Sequence, residues 1–196
     1  MSVDFASGRD VFGTDLLRDE EVLWYAQPEL SGHFTRADVF LIPFGVFWTL
    51  FSLFWTGAVL AVAISGEPAA LIGALFGIPF VAIGFYMLFG RFWYKRWVKR
   101  RTHYAVTNRR IISLGNALGR HLSAAYIDRL PSMRTARHGR EGVGTIWFGN
   151  TPWWVLWYGN TGMEFLGSMY GEPPVAFYDI KDVDRVVSLV DELRNA

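Results

Sequence analysis

The residues with the chemistry to act as ligands, bases or nucleophiles are few and badly spaced. His33, His103, His121 and His138 have no spacing that would bring two of them onto one helical face, and no HExxH, phosphate-loop or nucleophile-elbow pattern occurs. Gly139, Gly142 and Gly144 form a glycine-rich run, but it lies between expected strands and opens no helix, so it reads as a hairpin turn and not a phosphate cradle. Asp179, Asp182 and Asp184 lie at an expected helix start, where carboxylates complement the positive end of the helix dipole. Cysteine is absent, which removes disulfides and thiolate metal sites. The expectation is a non-enzymatic protein with no catalytic residue, metal or cofactor.

A second chemistry, anion contact, has better material. Arg91, Lys95, Arg96, Lys99, Arg100 and Arg101 interleave with Phe92, Trp93, Tyr94 and Trp97, and Arg109 and Arg110 follow. Trp93 and Trp97 suit the headgroup depth of a bilayer, with cations reaching outward past them. Lys95, Arg96, Lys99, Arg100, Arg101, Arg109 and Arg110 are therefore candidate contacts for anionic lipids, each basic group near an anionic leaflet being worth about 1 kcal/mol. Plain anchoring produces the same pattern. The basic residues lie too close to the apolar tract, and the rest of the chain is too little basic, for a nucleic-acid surface.

The apolar tract positions these residues. From Val39 to Gly90 Glu67 is the one charged side chain, and it divides two runs, 39–64 and 69–90, each beyond the roughly 20 residues that cross a bilayer as a helix. Residues 65–68 contain Gly66 and Pro68, so the runs form an antiparallel hairpin. The chain as a whole carries a formal charge of only +1, yet residues 1–38 are acidic and no acid follows the second run until Asp128. Basic residues at a span end stay in the cytoplasm, which places both termini there and the hairpin in the cell (inner) membrane as a two-pass anchor. An acidic start and a first apolar run that begins near residue 39 argue against a cleaved signal.

Small residues predict how the two helices meet. Gly45, Thr49, Ser52, Thr56 and Ala63 form one stripe, and Ala70, Gly73, Gly77 and Gly84 form another. The stripes are expected to face each other, with hydroxyls adding interhelical hydrogen bonds of about 0.6 kcal/mol each; the alternative is that one stripe serves dimerisation. Pro43 falls in the first turns, and Pro79 is expected to kink the second helix.

After the basic segment, 91–101, residues 102–196 read as a small mostly-β domain. Strands are expected at 104–107, 110–114, 122–127, 132–136, 145–148, 153–158, 163–167 and 175–177, and an amphipathic helix at 181–195 carries Val183, Val186, Val187, Val190 and Leu193 on one face. Residues 21–27 could add a strand from before the hairpin.

Three segments resemble the bacterial pleckstrin-homology-like (PH-like) membrane proteins: Glu21-Val22-Leu23-Trp24 with Gln27-Pro28, the run Tyr104 to Ile112 with its Thr107-Asn108-Arg109-Arg110 turn, and Phe177 to Ile180 leading into Val186-Val187. The resemblance implies a barrel of about seven strands closed by a carboxyl-terminal helix, carried on a two-helix hairpin. Trp147, Trp153, Trp154 and Trp157 depart from it in aromatic density. They either fill the barrel and the gap between barrel and bilayer, or, if exposed, Trp153, Trp154 and Trp157 form a docking patch. The function expected is an interaction module that binds a membrane protein or peptide at the cytoplasmic face, with sensing of anionic lipids of the inner leaflet as the alternative. An enzyme or pore subunit is disfavoured, because neither span contains an ionisable residue. Partner and oligomeric state are not written in the chain.

Overall fold

The computed structural model describes residues 10–30, 34–117, 119–138 and 142–195, so His33 and the start of the glycine-rich run lie outside the described residues. Two helices dominate one end. The first, α1, spans Asp38–Ile64; the second runs from Ala70 to Lys99 as α2 (Ala70–Phe85), one π-helical turn (Tyr86–Gly90) and α3 (Arg91–Lys99). Both are long and apolar enough to cross a membrane. Gly66 ends the first helix at φ +119, a backbone conformation that side chains with a Cβ rarely adopt.

The two small-residue stripes do face each other. A Cβ on Gly77 would collide with the Thr56 side chain, one on Gly84 would lie 3.0 Å from the Thr49 Cα, and one on Gly73 would lie 2.9 Å from Val59 Cγ1. The hydroxyls, however, do not bridge the helices as expected. Thr49 Oγ1 donates to the Gly45 carbonyl and Ser52 Oγ to the Trp48 carbonyl, both at 2.7 Å, because a carbonyl four residues back on the same helix is already within reach. Within the apolar stretch a hydrogen bond between the helices comes instead from the Trp48 indole, which donates to the Phe80 carbonyl at 3.0 Å.

Among the described residues, seven strands form two antiparallel sheets. The first has the order β1 (Val22–Ala26), β2 (Thr102–Thr107), β3 (Arg110–Gly115), β4 (His121–Tyr126); the second has β5 (Met133–Arg137), β6 (Gly144–Phe148), β7 (Ala176–Ile180). The chain before the first apolar helix thus supplies an edge strand to a sheet built after the second, with Trp24 opposite Val106. Between the sheets and the amphipathic helix α6 (Val183–Asn195) lies the main core, which includes Trp24, Tyr104, Val106, Ile111, Ile146 and Phe177. Phe177 stacks on Tyr104 at 4.6 Å and on Trp24 at 5.6 Å. On its other face the first sheet buries Ala105, Ile112 and Leu114 against Phe12. Burial on both faces explains why β2 and β3 carry adjacent apolar residues, Tyr104 to Val106 and Ile111 with Ile112, and not a strict alternation.

Three expectations are corrected. The sheets do not close into a barrel: among the described residues no ladder joins β4 to β5. Between them the chain makes a tight turn at Ile127–Arg129, and Pro131, which has no N–H to give to a ladder, follows. Residues Trp153–Tyr158 are a helix, α4, and not a strand. Its burial has the helical period: Trp154 and Val155 are buried and Tyr158 half-buried, while Trp153, Leu156 and Trp157 are exposed. The expected strand at 163–167 is a short helix, α5 (Glu164–Gly167). A run apolar on both faces does not distinguish strand from helix by periodicity, and that is how the sequence misled.

Candidate functional site

The sheets are fixed to the helices by buried charges. Arg91, fully buried, pairs with Asp38 at the start of α1, donates from Nε to the Met87 carbonyl at 2.5 Å and reaches the Thr161 carbonyl from Nη1 at 3.4 Å. The Tyr86 hydroxyl donates to the Gly162 carbonyl at 2.5 Å. Gly162 sits at φ +82 with the Arg91 backbone packed where a Cβ would be. About two turns further along, Lys99 Nζ lies 2.7 Å from Asp179 Oδ2 and donates to the Glu29 carbonyl at 2.8 Å. Burial alone would raise the Asp179 carboxyl, but the Lys99 charge beside it, with hydrogen bonds from Lys99, Asn160 and His138, holds it below its ordinary value. Helix α3 is therefore a post on which both the 158–164 loop and β7 are seated.

Beside that post lies a cavity of about 630 Å³. Tyr94 and Val98 of α3 form one side, Tyr104 and Ser113 of the first sheet a second, and Trp154 and Val155 of α4 a third. Val175, just before β7, places the second sheet on its wall too, so the cavity is the open end of the space between the sheets. Its volume falls in the range of small-molecule sites, about 300–1,000 Å³. Its walls are mainly aromatic and aliphatic, with Lys95, Lys99, Glu164 and Asn160 set among them. Glu164 has open surface toward the cavity, yet protein surrounds it on most sides. This desolvation raises its carboxyl against the lowering effect of the Gly162 N–H, donated to Oε1 at 3.1 Å, and of the Lys95 charge. Burial likewise raises the Tyr178 phenol on the wall.

The structure divides the expected anion contacts. Lys95 and Lys99 turn inward to the cavity, and both are buried. Arg110 is buried as well: its guanidinium holds both oxygens of Glu20 at 2.9 Å, while Thr107 Oγ1 donates to Glu20 at 2.7 Å. Arg96, Arg100, Arg101 and Arg109 are exposed. Arg109 sits beyond the far end of the six-residue strand β2, about 20 Å of chain from Arg101. Trp93 is 81% exposed, and Trp97 is half-buried with the Arg101 guanidinium 4.6 Å from its ring centroid.

The tryptophan patch is divided too. Trp153 and Trp157 are exposed and Trp154 is buried, while Trp147 is half-buried against Tyr178. Trp157 meets Phe40 at the start of α1 with ring centroids 5.7 Å apart, and Phe165 meets Tyr86 at 6.3 Å, so α4 and α5 lie against the ends of both apolar helices.

The histidines and acids are dispersed. His103 bonds the Tyr25 hydroxyl at 2.8 Å, His121 lines the cavity and His138 bonds Asp179. Asp179 turns inward, whereas Asp184 pairs with exposed Arg137 and the Asp182 carbonyl accepts the Val186 N–H at 3.2 Å. Among the described residues no group of three or more histidine and carboxylate side chains is placed to hold a metal ion. The cavity was not foreseen. Its lining comes from segments more than a hundred residues apart in the chain, and no local motif connects them. No known family model, curated protein or solved structure matches this chain.

Proposed function

We propose that this chain is a membrane-anchored, non-enzymatic interaction module. In this reading α1 and α2 span the inner membrane, the basic end of α3 and both termini face the cytoplasm, and the outer edge of β4 receives an extended segment of a protein partner. The orientation rests on the asymmetry of Lys and Arg. We read the two-sheet part as PH-like, on the strength of its four-plus-three antiparallel strands followed by amphipathic α6, and of the three sequence segments that carry the resemblance.

The observation that carries the proposal is the state of β4. Among the described residues it pairs with β3 alone, and it is exposed at every position except half-buried Ala125. Natural edge strands are blunted by charge, proline, bulges or shortness. His121–Tyr126 has six residues, no proline and no Lys, Arg, Asp or Glu. An unguarded edge of this kind is suited to strand addition, in which main-chain hydrogen bonds supply affinity.

Hydrogen exchange tests it. In native membranes the outward-pointing amides of β4 should exchange at least tenfold more slowly than in the purified full chain in nanodiscs, because a partner strand covers them; equal rates would remove the proposal. Proline scanning adds a mutational arm. Successive N–H groups point alternately to β3 and outward, so of Ser123→Pro and Ala124→Pro one should unfold the sheet and the other should leave it folded while abolishing the protection.

A second reading, contact with anionic lipids, is favoured by the exposure of Arg96, Arg100 and Arg101 together at the end of α3. Replacing all three by Gln should lower the anionic phospholipid that co-purifies with the protein in mild detergent, and unchanged lipid content would exclude it.

A further inference from the structure

We infer that the cavity between the sheets is a site for one acyl tail of a bilayer phospholipid. The inference rests on the membrane placement proposed above and is independent of the β4 partner.

Three observations carry it. The first is the chemistry of the walls. Tyr94, Val98, Trp154, Val155 and Val175 offer hydrocarbon and ring faces, and the charged groups among them are already engaged. Lys99 is held by Asp179 and the Glu29 carbonyl, Glu164 accepts the Gly162 N–H, and Lys95 too has an interaction partner. A phosphate or nucleotide would find both lysines engaged and only the Ser113 and Ser123 hydroxyls and the His121 ring to meet it, whereas a hydrocarbon chain needs no donor. The second is size. A mainly apolar space of about 630 Å³ left to water would forgo the burial that folds the rest of the molecule, and a hydrocarbon tail recovers it.

The third observation is place, and it names the source of the tail. Helix α3, which walls the cavity, is continuous with α2. The α4–α5 segment on the opposite side touches α1 through Trp157 and Phe40, and the second helix through Phe165 and Tyr86. Its outer face carries exposed Trp153, Leu156 and Trp157, the residue types that settle at the headgroup level. A tail leaving the bilayer beside α4 enters the cavity without crossing water, its headgroup remaining at the surface.

The test uses the full chain in nanodiscs of phosphatidylcholine doped with a phosphatidylcholine whose acyl tail ends in a diazirine, with photolabelled peptides mapped by mass spectrometry. Label is expected on the exposed faces of α1 and α2, which reports the membrane placement. It is also expected on the Ser113 and Val175 peptides, which lie between the sheets where an interfacial lipid does not reach. Ser113→Trp, which fills the cavity from a strand position that accepts aromatics, should cut the Val175 label at least tenfold and spare that on the helices. Val98→Phe fills it from α3, should this first variant fail to fold. Label on the helices with none on Ser113 or Val175 would overturn the site alone, and unlabelled helices would overturn the membrane placement with it. Cavity label obtained from a diazirine fatty acid but not from the phospholipid would overturn the source.

Discussion

Arg110 shows how an identical residue type takes opposite roles at neighbouring positions. Arg109, in the turn, is exposed, whereas Arg110 opens β3 and is folded onto Glu20, Thr107 and the Asp15 carbonyl. Removing one member of a buried, bidentate pair leaves the other charge uncompensated, at a cost of about 3–5 kcal/mol. Arg110→Met should therefore lower the unfolding midpoint of the full chain in detergent by many degrees, and Glu20→Leu with Arg110→Met should recover most of the loss. Arg109→Met should leave the midpoint unchanged. The pair also sets an acid limit. Burial would raise the Glu20 carboxyl, but hydrogen bonds from Arg110, the Leu17 amide and Thr107 hold it below its ordinary 4.5. A carboxylate depressed in the folded state contributes its full stability above the unfolded value and loses it as the pH falls through the folded one. Asp179 is depressed in the same direction, so the two losses accumulate. Stability should fall steeply below about pH 4.5, and Glu20→Gln should flatten that slope in unfolding scans run from pH 7 to pH 3.

At the level of elements, legibility followed the number of residues carrying one period. The two apolar helices, their short connection and their facing stripes were readable because each repeats a signal over many turns, and α6 likewise shows its valine face. The direction of the hydroxyl bonds was not, since Thr49 and Ser52 reach their own helix as easily as the neighbour's. The α4 helix was misread because six consecutive apolar residues match either period, and the failure of the sheets to close depends on a pairing between β4 and β5 that no local pattern encodes. The candidate site was legible only in part: Lys95 and Lys99 stood out as charges, but their turning inward follows from partners such as Glu29 and Asp179, which are remote in the chain. The hairpin seam gives its own prediction. Gly84 packs against the Thr49 backbone, which does not yield, while a Cβ added at Gly57 on the same hairpin would meet nothing within 4 Å. Gly84→Leu should destabilise the full chain in micelles by about 1–3 kcal/mol, the range for overpacking, and Gly57→Leu should be silent. Equal effects at the two positions would mean that helix propensity, not close approach, governs the seam.

For the molecule as a whole, the arrangement makes the position of the sheets a consequence of the helices. The first sheet takes β1 from before α1 and β2 from directly after α3, so the hairpin is inserted between two paired strands, and Asp38 with Arg91 joins the two helices about two turns of α3 before the chain re-enters that sheet. A flexible tether would deliver a binding surface at any orientation; this junction fixes one, and both the β4 edge and the cavity beside α3 depend on it. Under the proposed function, the cost of ordering the sheets against the helices is then met once, on folding, and not at each binding event. Arg91 is the residue to test, because it joins both helices and the loop at Thr161. Spin labels at exposed Val62 on α1 and exposed Asp191 on α6 should give one narrow distance distribution in the wild-type chain in nanodiscs. Asp38→Asn keeps the shape of the side chain and removes the charge that Arg91 faces, so the distribution should broaden while the sheets stay folded by hydrogen exchange. A width that does not change would mean that β1–β2 pairing alone orients the sheets, and that the buried ion pair contributes stability without setting direction.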